Sequence, residues 1–131
     1  MSYYYIMVIY TSYFAQLKKV KNPLSIALWK PKWYNGPELL SLAPTKSILT
    51  TWKNSNQSRT DWQNYITSYN NDILSKININ NLLEEIKQIY PNENFVTLLC
   101  YEKPKDYCHR HIVSEWLNKN NITSNEITFR T

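Results

Sequence analysis

The chain has a single glycine, Gly36, in 131 residues. That scarcity excludes the Walker phosphate loop and the dinucleotide fingerprint, which need several glycines for the backbone to approach phosphate closely. No stretch of about 18 apolar residues occurs, so no membrane-spanning helix is expected. The apolar opening, Met1 to Tyr10, lacks a basic n-region and a small-residue cleavage site, and it reads as a first strand rather than a signal peptide. The expected location is therefore the cytoplasm of a bacterial cell, where the two cysteines stay reduced. No run of five basic residues marks a nucleic-acid arm.

What is present is apolar, aromatic and mildly basic. Hydrophobic residues make up 43% of the chain, enough for a core in one domain without metal or disulfide staples. A net charge of +5 suits an anionic partner: phosphate, nucleotide or nucleic acid. Eleven tyrosines and five tryptophans can stack on bases, or can simply fill the core.

Residues 4–10 are β-branched and aromatic and read as a buried parallel strand. Ser12 caps a brief helix to about residue 20, and residues 24–29 form a second strand. Residues 30–37, with two prolines around Asn35-Gly36, are turn chemistry. Pro44 at N1 opens a helix over 45–53. A second helix over 61–77 is predicted from Trp62, Tyr65, Ile66, Tyr69, Ile73, Leu74 and Ile77. A third covers 82–89, capped by Asn80 or Asn81. Residues 95–101 are the third strand, 106–118 the last helix, and 125–130 a short terminal strand. This alternation predicts an α/β chain, a single domain over residues 1–131. Its architecture reads as a Rossmann-like three-layer sandwich. The sheet is mostly parallel, with three to four strands and a helical insertion between strands two and three.

The stretch from Leu98 to His111 holds both cysteines and both histidines, at a strand–loop–helix junction of the kind where α/β sheets bind ligands. With Asp106 as N-cap, helical periodicity turns Cys108 and His109 inward and His111 toward solvent. Cys108, in the first turn, is either a thiolate nucleophile beside His109 and Glu102 or a small buried hydrophobe. Cys100 reads as core. If the protein is an enzyme, Cys108, His109 and Glu102 are the catalytic candidates. An anion pocket arises from Arg110, the helix N-terminus and Lys30 or Lys32, with Trp33, Tyr65 and Tyr69 to stack on a base. The alternative for Arg110 is an ion pair with Glu102 or Asp106 that pins the loop. A zinc site on Cys100, Cys108, His109 and Glu102 is conceivable, but these residues lack the paired spacing of metal motifs, so no metal site and no cofactor are predicted. A Cys100–Cys108 disulfide fits the geometry, but a reducing compartment argues against it.

The string Leu98-Leu99-Cys100-Tyr101-Glu102-Lys103-Pro104, with Cys108-His109-Arg110-His111 and Glu115-Trp116-Leu117, resembles the signature of the domain-of-unknown-function 488 family. Tyr10 to Phe14, Pro31-Lys32-Trp33 and Leu42 to Thr45 are similar to its other marks, so the resemblance spans essentially the whole chain. It implies a Rossmann-like α/β domain and carries over Cys100, Glu102, Cys108, His109 and Arg110 as functional positions. Tyr13, in the opening mark, joins Cys100 among the ligand-lining candidates. The family brings no established activity.

The expected function is binding of a phosphorylated, nucleotide-like small molecule at the C-terminal edge of the sheet, as a viral counter-defence protein that captures a nucleotide signal would do. The alternatives are an enzyme acting on a nucleotide or nucleic acid, and a nucleic-acid-binding module. A homo-oligomer in which a second copy completes the pocket fits each of these, and no membrane partner is expected.

Overall fold

The computed structural model describes residues 7–101 and 106–129. Four strands, β1 (Val8–Tyr13), β2 (Pro23–Ser25), β3 (Phe95–Cys100) and β4 (Ser124–Glu126), form one all-parallel sheet in the order β2-β3-β1-β4. Four helices accompany it: α1 (Lys46–Lys53), α2 (Arg59–Asp72), α3 (Ile79–Ile89) and α4 (His109–Lys119). The first three are the insertion between strands two and three. Among the described residues no helix is long and apolar enough to cross a membrane.

Connection handedness explains the layers. The steps β2 to β3 and β3 to β4 move the same way across the sheet, so right-handed crossovers put α1 to α4 on one face. The step β1 to β2 moves the opposite way and sends the 3₁₀ turn Phe14–Lys19 to the other face. The outcome is the Rossmann-like three-layer arrangement. Alternation along β3 serves both sides. Val96, Leu98 and Cys100 join Ile9, Leu24 and Ile26 under the helices, while Leu99 packs with Phe14, Ala27 and Tyr34 on the thinner side.

Polar side chains set the helix starts. Thr45 accepts from the Ile48 amide at 3.1 Å, Asn78 accepts from that of Asn81 at 3.0 Å, and Ser58 forms a reciprocal capping box with Asp61. These caps move three expected boundaries. Pro44 precedes the cap of α1 rather than filling N1, α2 begins near residue 59, and α3 begins at Ile79 under Asn78, not Asn80 or Asn81. Helix α2 also stops at Asp72, and a separate 3₁₀ turn Leu74–Lys76 follows.

The strands shift as well. β1 runs on through Ser12 to Tyr13, and the expected helix after it is only a 3₁₀ turn. Residues 4–6 of the expected first strand lie outside the described residues. β2 ends at Ser25, where residues 37–39 come alongside its other edge: the Ser25 amide donates to the Pro37 carbonyl, and the Leu39 amide to that of Ser25. β4 starts one residue early, at Ser124, and ends at Glu126.

Gly36 has a local reason. A Cβ there would run into the ring and hydroxyl of Tyr34, a buried side chain whose hydroxyl donates to the Pro37 carbonyl at 2.7 Å.

Candidate functional site

A cleft of about 800 Å³ opens at the C-terminal ends of β2 and β3, between α1 and α2 on one side and the start of α4 on the other. Its wall is aromatic. Tyr107 stacks on Trp62 at 5.0 Å, Trp62 on Tyr65 at 4.7 Å and Tyr65 on Tyr69 at 6.2 Å, a column running from the surface into the core. Trp52 meets Trp62, Tyr65 and Tyr107 edge-on. Such edge-on and offset pairs are the arrangements ring quadrupoles favour. At the rim, Trp29 and Tyr101 are about half exposed, joined by a 2.6 Å bond from the Tyr101 hydroxyl to the Trp29 carbonyl. Lys53 Nζ lies over the Trp29 ring, and Asp106 adds a carboxylate to the lining.

The floor of the cleft is Cys100, Cys108 and His109, all buried. His109 Nε2 sits 2.7 Å from the Ile26 carbonyl. A carbonyl can only accept, so Nε2 carries the proton and Nδ1 keeps a lone pair. Burial pulls the pKa of His109 down to about 4, opposed by that hydrogen bond and assisted by the nearby charge of Arg110, so the ring is neutral at pH 7. Tyr69 packs against the ring at 5.5 Å and donates its own hydroxyl to the Leu42 carbonyl. Burial raises the pKa of Tyr69, which stays a phenol.

Cys100 and Cys108 are joined as a disulfide between the end of β3 and the N-cap residue of α4. The sequence reading expected free thiols. Strand end and helix start are neighbours here, and the sulfurs meet. In this state neither sulfur is a nucleophile. Thiolate chemistry belongs to the reduced pair.

Arg110 departs most from expectation. Instead of reaching over the rim it is fully buried, and among the described residues its ion pair is with Glu126 rather than Asp106. Its Nε and Nη2 hold the two oxygens of Glu126 at 3.0 and 3.1 Å, and Thr11 Oγ1 donates to the same carboxylate at 2.5 Å. Nη1 donates to Cys100 Sγ at 3.2 Å, and the guanidinium lies 5.7 Å over the Tyr13 ring. A bidentate pair of this kind leaves the arginine little to offer a phosphate.

The other candidates divide. Tyr65, Cys100, Cys108 and His109 border the cleft. Tyr69 stands behind His109 and Tyr13 beneath Arg110. Trp33 packs edge-on against Phe14 on the thinner face, and Lys30 lies over Tyr34, so neither is brought to the cleft, and exposed Lys32 does not border it either. Asp106 is no N-cap, since α4 begins after Cys108. His111, expected in solvent, is half-buried beside Thr11 and Glu126 at a separate shallow pocket. Glu102 lies outside the described residues.

Sequence reasoning missed Trp52, Lys53, Tyr101 and Tyr107 in the lining, and Glu126 as the half-buried counterion of Arg110. Trp62 appeared only as a core position. The Trp62, Tyr65, Tyr69 stripe was the available signal, since it placed an aromatic face on α2.

Residues 16–121 match the family described as "DUF488-N3a: Active DUF488-N3 subclade". No curated protein and no solved structure matches the chain.

Proposed function

The chain belongs to the DUF488 family, and we propose that it binds a phosphorylated, nucleotide-like small molecule in the aromatic cleft. The base packs against the exposed rings of Trp29, Tyr101 and Tyr107, of which Tyr107 is backed by Trp52 and Trp62 and Tyr101 by Phe14. Lys53 meets the phosphate and Asp106 a ribose hydroxyl. The observation that carries this reading is the stacked wall of rings beside an open cleft at the sheet's C-terminal edge. Base–aromatic stacking contributes about 1–3 kcal/mol per base.

A second reading, that the ligand is also processed, draws on the Cys–Cys–His floor and on the word "Active" in the family's description. A panel of mono-, di- and cyclic nucleotides tests both, followed by tryptophan fluorescence and melting temperature. Quenching and a raised Tm support binding. No response to any nucleotide, with a response to short oligonucleotides that fades steeply with salt, would instead favour nucleic-acid binding. Mass spectrometry of the recovered ligand separates capture from turnover. An unchanged ligand is what a counter-defence protein that only sequesters a signal would give.

A further inference from the structure

We infer that the reduced protein holds a divalent metal of the zinc type on Cys100 Sγ, Cys108 Sγ and His109 Nδ1, at the floor of the cleft. Among the described residues these three bring one ligand atom each to within 4.8 Å of one another. Their spacing in the chain is not that of a paired metal motif, because Cys100 comes from the end of β3 while Cys108 caps α4 and His109 begins it.

Three features around the ligands fit a metal. His109 donates its Nε2 proton to the Ile26 carbonyl, the outer contact that ordinarily fixes a metal-bound imidazole and leaves the other nitrogen to coordinate. Arg110 Nη1 donates to Cys100 Sγ and thereby stabilises a thiolate, while Glu126 cancels the arginine's own charge. Two thiolates then neutralise a dication. The Cα atoms of the cysteines stand 7.2 Å apart, wider than the roughly 4.4–6.8 Å usual for a disulfide, so sulfurs bridged through a metal suit the backbone. With metal–sulfur bonds of about 2.3 Å, the sulfurs of a tetrahedral site stand about 3.8 Å apart.

The chemistry balances. A phosphine reductant and water convert the disulfide to two thiols and a phosphine oxide, and Zn²⁺ then displaces both thiol protons. Three protein ligands leave the fourth position to water or to a molecule in the cleft, the pattern of catalytic rather than structural zinc. The site needs no nucleotide, so it stands or falls separately from the ligand proposed above.

The test is an anaerobic titration of the phosphine-reduced protein with Co²⁺ and then Zn²⁺. The expected result is one Co²⁺ per chain with the intense visible bands of tetrahedral thiolate cobalt, displaced by one equivalent of Zn²⁺. Reactive thiols should fall from two to none on adding zinc. Cys108→Ser and His109→Gln should each weaken binding at least about tenfold, with circular dichroism checking that they fold. The proposal is overturned if the folded, reduced wild type keeps both thiols reactive with zinc present. A cobalt spectrum lacking the tetrahedral bands overturns it equally.

Discussion

His109 and Arg110 are consecutive residues in the first turn of α4, yet they serve opposite kinds of environment. His109 borders an open aromatic cleft, whereas Arg110 enters a closed polar cluster with Glu126, Thr11 and Tyr13. One helical step of about 100° separates them. The comparison shows that charge in a sequence motif need not face the cleft. The arginine spends its hydrogen bonds on the fold, and the neutral histidine meets the cleft. Cys100 touches both environments, lining the cleft while accepting from Arg110.

The sharpest way to break this division is Arg110→Met. If the cluster is structural, the variant loses about 3–5 kcal/mol in denaturant unfolding, because Glu126 is left partly buried and unpaired. Adding Glu126→Gln should recover part of that loss. A variant of unchanged stability but lost ligand binding would reverse the assignment.

Substitutions at the rim should do the converse. Tyr107→Ala and Trp29→Ala are expected to weaken nucleotide binding by about 1–3 kcal/mol by fluorescence titration, with little change in unfolding. Equal binding in both variants would remove the cleft as the ligand site. Gly36→Ala tests the thinner face, where overpacking against Tyr34 should cost about 1–3 kcal/mol in unfolding and leave the cleft intact.

The smallest expected effect concerns the cap that sets α2, the helix carrying Trp62 and Tyr65. Hydrogen bonds from Ser58 hold the Asp61 carboxyl below its ordinary pKa. A group with a depressed folded-state pKa stabilises above its unfolded value, and that contribution is lost as pH falls through the folded one. Asp61→Asn should therefore flatten the acid limb of a melting-temperature profile slightly. A profile identical to wild type would show that the cap contributes nothing there.

Much of the architecture was legible because its strongest signals are local. The mainly apolar run of β3 and the helical stripes on α2 and α4 fix the class and bring Cys100, Cys108 and His109 to one sheet edge. What stayed hidden depends on distant register. A terminal strand was expected over 125–130, but nothing local tells that the parallel pairing of β4 sets Glu126 beside Thr11 and so within reach of Arg110. Trp52 and Tyr107 share no periodicity and meet only across the cleft. Lys30, Lys32 and Trp33 were misplaced because β2 ends at Ser25, four residues before the expected Trp29, and the chain then turns to the other face.

The pairing of Arg110 with Glu126 also imposes an order of events. The carboxylate follows the arginine by 16 residues, and it belongs to the last strand in chain order among the described residues. Until β4 docks beside β1, the largest fully buried side chain of the described fold has no counterion. Helix α4 is therefore expected to settle late, and the floor of the cleft with it. Settling of the cleft floor and closure of the sheet then become one cooperative step rather than two.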